Sequence, residues 1–141
     1  MIYLAKNKNK GFMVVEILVA TSIITVSILA AMTVAQKAIY VSRQALHATQ
    51  ASFLLEEGAE EARIARDNAW SGVVALNTSE SIGIFTRTVV ASSVTRNVVS
   101  GDIGPGDADA GTKLITVTVS WPEGGIIINK ILQFYITDIF S

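Results

Sequence analysis

The groups in this chain that could do chemistry are mostly carboxylates. Glu16 stands in a run of apolar residues. Glu56, Glu57, Glu60 and Glu61 form two adjacent pairs, and Asp102, Asp107 and Asp109 lie in a glycine-rich stretch, GDIGPGDADAG. The one histidine is His47, and cysteine is absent. Without cysteine there is no disulfide framework, thiolate zinc site or thiol nucleophile. A lone histidine gives no support to a metal or nucleophile scheme, and His47 is expected to be a solvated surface residue. The paired glutamates fall in a helix-forming segment with no pocket signature, so a solvated face is expected rather than acid–base work. A phosphate-binding glycine loop and a nucleophile elbow are both missing. These readings exclude the common enzyme classes, and the chain is expected not to be an enzyme.

The aspartates need separate weighing. Asp107-x-Asp109, with Asp102 and flanking glycines, offers hard oxygen ligands on a flexible backbone, as calcium requires. The full EF-hand string is absent, and by composition Gly101 to Gly111 reads as an exposed loop. Calcium is the only cofactor these residues raise, and no other is expected.

Glu16 is the most informative of these groups because of its surroundings. Lys6, Lys8 and Lys10 alternate with asparagines, then Gly11 and Phe12 open a run in which Glu16 is the only charged residue up to Gln36. From Ile17 to Gln36 there are 20 uncharged positions. That is enough to cross a bilayer core of ~30 Å at ~1.5 Å per residue. Thr21, Ser22, Thr25, Ser27 and Thr33 are compatible with such a helix, because their hydroxyls can bond back to the preceding turn. The lysines keep the leading end cytoplasmic by the positive-inside rule, leaving the remainder across the membrane. The apolar run is longer than the ~7–15 residues of a cleaved secretory signal. A plain signal anchor accounts for the length and the basic flank, but leaves Gly11 and Glu16 unexplained.

Lys-x-Lys-Gly, then Phe, three apolar residues, Glu and a long apolar helix resembles the class III signal of type IV pilins and type II secretion pseudopilins. The resemblance covers residues 6–36 by motif and the rest of the chain in outline. It implies a leader at 1–11, cleavage by a prepilin peptidase between Gly11 and Phe12, and N-methylation of Phe12. Glu16 then takes the position of the family's assembly glutamate. The implied localisation is a single pass in the bacterial cytoplasmic membrane with the head extracytoplasmic, followed by a cell-surface or periplasmic filament. The implied partners are other copies and other pilins, the peptidase, a membrane platform protein, an assembly ATPase and, before assembly, the lipid bilayer. The chain departs from the family in two ways: many pilins staple a C-terminal loop with a disulfide and kink the helix with a proline, and here cysteine is absent and the prolines are Pro105 and Pro122. The alternative is an uncleaved single-pass membrane protein whose extracytoplasmic domain binds a ligand or partner.

The 141 residues carry 11 basic and 12 acidic side chains, and loss of the three leader lysines leaves 8 against 12, a net of −4. That argues against a nucleic-acid surface.

The remaining elements are expected to position a head at 37–141 behind a transmembrane and filament-core helix at 12–36. From Lys37 to about Trp70, Ala, Leu, Glu, Gln and Arg dominate, with Gly58 the one glycine before the end of the segment. Ala45, Ala48, Ala51, Leu55, Ala59, Ala62, Ala65 and Ala69 recur at steps of three and four, a small-residue stripe suited to close packing on a sheet. Helix is therefore expected over 37–70, Trp70 as a lid on the helix–sheet core, and Asn68 to Ser81 as a connector. The β-branched residues of Ile82 to Ser100 suggest strands at 82–90 and 94–100, or one bent strand. In Thr112 to Trp121 the residues Ile115, Val117, Val119 and Trp121 alternate with Thr116, Thr118 and Ser120. Pro122 to Gly125 reads as a hairpin turn. Ile126 to Thr137 returns with Ile126, Ile128, Leu132, Phe134 and Ile136 on one face and Lys130 as the exception. The expected fold is α+β: a long N-terminal helix, membrane-spanning in its first half, with an antiparallel sheet over 82–138 packed on its second half.

Overall fold

The computed structural model describes residues 10–139. Lys6 and Lys8 of the expected leader lie outside the described residues. The helix α1 runs from Lys10 to Asn68, 59 residues without a break, so the Gly11–Phe12 bond falls in its first turn. A short helix α2, Trp70–Val74, follows, and then a sheet of four antiparallel strands: β1 (Asn77–Ile82), β2 (Phe85–Arg96), β3 (Asp107–Glu123) and β4 (Ile126–Thr137). The strand order in space is the order in sequence. The fold is the expected α+β arrangement. By internal contacts it comprises two compact units, residues 1–43 and 44–141.

In the second unit the small-residue stripe does what its spacing requires. Ala51, Leu55, Ala59 and Ala62 are buried, Ala48 and Ala65 are half-buried, and Ala45 and Ala69 at its ends are exposed. The stripe meets the inner face of the sheet, where Val89, Ile115, Val117, Val119, Trp121 and Ile136 are buried in one cluster with Ala51, Leu55 and Ala62. Gly58 sits on the same face at the closest approach. A methyl group built on it would lie 2.6 Å from Val117 Cγ1 and 3.2 Å from Val89 Cγ2. Both partners are fully buried branched side chains, so neither can swing away. Trp70 packs on the cluster and donates from Nε1 to the Ala110 carbonyl at 3.0 Å, the lid its position suggests.

Several boundaries differ from expectation. The connector over 68–81 contains α2 and all but the last residue of β1. That strand is an edge, exposed along nearly its whole length, so nothing forces apolar alternation on it. Its place comes from pairing with β2, from Asn77 opposite Val90 to Ile82 opposite Phe85. The sheet therefore starts at Asn77 rather than 82. The suggested pair of strands at 82–90 and 94–100 is one strand, β2, with a register shift between Ser93 and Val94. The expected loop over 101–111 ends early. Residues Asp107 to Asp109 pair with Arg96 to Val94 and extend β3. The β3–β4 turn is only Gly124-Gly125, with φ of +58° and +87°, the left-handed pair that a two-residue hairpin with the native strand twist needs. Pro122 and Glu123 already belong to β3.

All core residues of the second unit lie beyond residue 50. A fragment starting at Ala38 is therefore expected to be soluble and to unfold cooperatively when followed by circular dichroism. In that fragment Gly58→Ala gains ~1 kcal/mol of helix propensity but overpacks the contact with Val117, at a cost of ~1–3 kcal/mol. The expected net result is a lower urea midpoint, and a raised one would show that the helix stands off the sheet.

Candidate functional site in the apolar helix

In the first unit every described side chain, from Met13 to Arg43, is exposed. This is the one helix among the described residues long and apolar enough to cross a membrane, with a mean hydropathy of 2.3 in its richest window and none of that window buried. The chain is thus compatible with a single-pass membrane protein. The hydroxyls in the apolar stretch turn inward to the helix itself. Thr21 Oγ1 donates to the Ile17 carbonyl at 2.9 Å, Ser22 to Leu18 at 2.6 Å, Thr25 to Thr21 at 2.8 Å, Ser27 to Ile23 at 2.8 Å and Thr33 to Ala30 at 2.7 Å. Each thereby presents carbon rather than a free donor to its surroundings.

Glu16 is exposed on this helix. Its neighbours one turn away, Phe12, Met13, Val19 and Ala20, carry no side-chain charge. A carboxylate so placed has no cationic side chain within one turn on its own helix. The backbone at Gly11 and Phe12 is helical, which sets the Phe12 nitrogen four positions before Glu16, within one turn of the carboxylate.

The second unit holds polar groups that sequence reasoning placed wrongly or left unexplained. His47 is not a solvated residue. Its Nδ1 lies 2.6 Å from Glu123 Oε2, with the Glu123 side chain buried, and its ring meets Phe85 edge-on at 6.1 Å. Lys130 is the exception on the inner face of β4 because its ammonium donates to the Ala48 carbonyl at 3.0 Å and to Ser52 Oγ at 3.0 Å. Arg87 is only 7% exposed and lies against three glutamates. Its Nη2 donates to Glu80 at 2.8 Å and lies 3.8 Å from Glu61. Its Nη1 is 2.9 Å from Glu57, within ion-pair reach but out of hydrogen-bond alignment. The glutamates of 56–61 are therefore not uniformly solvated: Glu57 and Glu61 clasp a buried arginine, and Glu60 pairs with Arg63.

The three aspartates are not brought together as a ligand set, and no metal-ligating cluster is found among the described residues. Asp109 is taken by Arg96, whose Nε donates to Oδ2 at 2.9 Å, while Gly111 N donates to Oδ1 at 2.9 Å. Asp102 lies in the loop after β2, and Asp107 opens β3.

The hydrogen bond to Thr112, together with Arg96, holds the Asp109 carboxyl below its ordinary value of 3.8. A depressed acid stabilises the fold above its ordinary pKa and loses that contribution as pH falls through the folded-state value. The acid limb of unfolding of the Ala38 fragment, below about pH 3.8, is therefore expected to be shallower in Asp109→Asn than in the wild type. Identical limbs would show that Arg96 is held by Gly101 and Thr112 alone.

No protein-family model, curated protein or solved structure matches this chain.

Proposed function

We propose that the chain is a structural subunit, a pilin or pseudopilin, of a type IV pilus-like filament. It is made as a membrane-anchored precursor, cleaved after Gly11, methylated at Phe12 and assembled through α1. The observation that carries this reading is an apolar helix segment with all its described side chains exposed, bearing one carboxylate near its start and followed by an α+β head. Each large apolar side chain left in water forgoes roughly 1.5–3 kcal/mol, so the segment requires a cover along its length. A bilayer supplies the cover for the precursor. Other copies of the same helix supply it in a filament, where heterologous, non-closing contacts extend without limit.

Glu16 favours the filament over a plain anchor. A carboxylate in a membrane helix costs ~2.5–3.5 kcal/mol at mid-bilayer. Cleavage after Gly11 would create an amine at Phe12, one turn from Glu16 and open also to Glu16 of a neighbouring copy. In an apolar surrounding that pairing is strengthened. The prepilin peptidase, a membrane platform protein and an assembly ATPase are the partners this life cycle needs.

Co-expressed with a prepilin peptidase, the chain is expected to lose Met1–Gly11 and to begin at methylated Phe12 by intact mass. Gly11→Leu is expected to keep its full mass. An uncut wild type would leave the single-pass anchor as the function of α1.

Glu16→Val is expected to insert and to be cleaved normally but to assemble poorly. The amine of Phe12 would be left unpaired in an apolar interior, at a cost of ~3–5 kcal/mol when one partner of a buried pair is deleted. Filament counts by electron microscopy decide it, and wild-type numbers would place Glu16 at the headgroup boundary with no part in assembly.

A further inference from the structure

Of the six asparagines in the chain, Asn77 alone is followed two positions on by a hydroxyl residue, in Asn77-Thr78-Ser79. Asn-x-Ser/Thr, with x other than proline, is the acceptor string for N-linked glycosylation. It is an acceptor only where its amide and hydroxyl are open to an enzyme, and the fold supplies that condition. Asn77 opens the edge strand β1, where Asn77, Thr78 and Ser79 are all exposed. The sheet order ends at β1, so no strand among the described residues pairs with its free side. In a strand, positions i and i+2 project from the same face. Asn77 stands opposite Val90 and Ser79 opposite Thr88, on the face turned away from α1. Thr78 belongs to the other face, where its hydroxyl donates to Glu61 of α1 at 2.9 Å. The middle residue is thus tied to the helix, and the two that carry the chemistry are presented together to solvent.

The surface beside the string suits a sugar. Ser79 lies next to Thr88, and Thr88 next to Thr118; Ser81 lies next to Thr86, and Thr86 next to Ser120. These rows of hydroxyls cross the outer face from β1 to β3. The outward positions of β1, of β2 from Thr86 to Val90, of β3 from Leu114 to Pro122 and of β4 from Ile127 to Tyr135 carry no charged side chain. The charges of the same strands, Glu80, Arg87 and Lys130, belong to the helix side, where Arg87 pairs with Glu80 and Lys130 bonds to Ala48 and Ser52. A neutral sugar can exchange bonds to water for bonds to such hydroxyls without stripping water from an ion.

We infer that Asn77 is an N-glycosylation site, which takes an oligosaccharide from a lipid-phosphate-linked donor through a membrane oligosaccharyltransferase. In the transfer, Asn77 Nδ2 attacks the anomeric carbon of the first sugar. A nitrogen–carbon bond forms, the bond from that carbon to the phosphate oxygen breaks, and its electron pair leaves with the lipid phosphate. The amide proton passes to a base of the transferase, and nothing is oxidised or reduced. The Ser79 hydroxyl is the part of the string that the transferase recognises. The inference rests on the extracytoplasmic head, which the filament subunit and the uncleaved anchor share, and it does not need cleavage at Gly11. The glycan has a structural use as well. An edge strand invites pairing with another chain unless proline, lysine or a bulge blunts it, and β1 has none of the three. Sugars anchored at Asn77 stand over that edge.

The test is a mass measurement on the full-length chain. It is expressed with the prepilin peptidase in cells whose oligosaccharyltransferase accepts any Asn-x-Ser/Thr, and in the same cells without that transferase. A secreted reporter bearing one Asn-x-Thr string verifies the transferase in each culture. The expected result is a single, transferase-dependent glycan mass on the tryptic peptide Asp67–Arg87, which holds the one acceptor string. Asn77→Gln and Ser79→Ala are each expected to remove it, and Ser79→Thr and Thr78→Val to keep it. Because Asn77 is exposed, Asn77→Gln is expected to leave the urea midpoint of the Ala38 fragment unchanged, so that a lost glycan is not a lost fold. A chain that stays unmodified while the reporter is modified would overturn the inference. So would a sugar mass that survives Asn77→Gln, since it would then sit on a hydroxyl. The N-terminal mass from the same sample separates the two proposals. A glycosylated chain that still carries Met1–Gly11 keeps the site and removes the filament reading, and a cleaved chain without the glycan does the reverse.

Discussion

An α-helix pairs its own backbone groups, so it can carry apolar side chains where nothing else of the protein surrounds it. The first unit of this chain depends on that property. No described side chain before His47 is even half-buried, and the hydroxyls of Thr21, Ser22, Thr25, Ser27 and Thr33 are folded back onto carbonyls of the preceding turn. What remains on the outside from Met13 to Ala35 is hydrocarbon and one carboxylate. Such a surface is compatible with a single membrane span, and Glu16 is the one charge within it.

The same helix meets a different requirement in the second unit, where it must press against a sheet. Small residues solve it. Alanine at successive turns and Gly58 at the tightest point let the backbone approach until Val89 and Val117 fill the space a side chain would take. Apolar packing of this kind is weakly directional, since an alanine stripe fits a valine surface in several registers. Direction comes from polar groups around the edge of the contact. His47 reaches Glu123, Lys130 reaches Ala48 and Ser52, and Arg87 lies among Glu57, Glu61 and Glu80. A buried pair of this type adds little net stability, because removing both charges from water offsets their attraction, but losing one partner leaves an uncompensated charge. Displacing the helix along the sheet would break all three sets at once.

The two ends of the sheet are built differently. Both two-residue turns, at Gly83-Ile84 and Gly124-Gly125, lie at the end where α1 brings His47 and Phe53. The long β2–β3 loop lies at the other end. Up-and-down order makes this unavoidable: with four strands in sequence, alternate connections fall at alternate ends. The short connections leave an apolar recess beside the helix, and the long one projects Val98 and Val99.

Periodic patterns determined much of this protein from sequence alone. Twenty uncharged residues after a basic start require an apolar helix whatever follows them. The alanine stripe marks the buried face of α1, and the alternation of Ile115, Val117, Val119 and Trp121 marks the inner face of β3, because a regular element buried on one side must repeat with its own period. Glu16 was legible as a candidate site for the same reason, being the one break in an apolar run. Tertiary structure decided what has no period. The edge strand β1 is polar from Asn77 to Ser81, since neither of its faces is deeply buried, and only pairing with β2 makes it a strand. The register shift at Ser93/Val94 and the early start of β3 belong to the β2–β3 pairing, beside which Arg96 grips Asp109. The roles of His47, Arg87, Glu123 and Lys130 depend on partners 76 to 82 positions away for His47 and Lys130, and for Arg87 on partners on two other elements, α1 and β1. Sequence spacing carries no information about such distances, because the fold closes them.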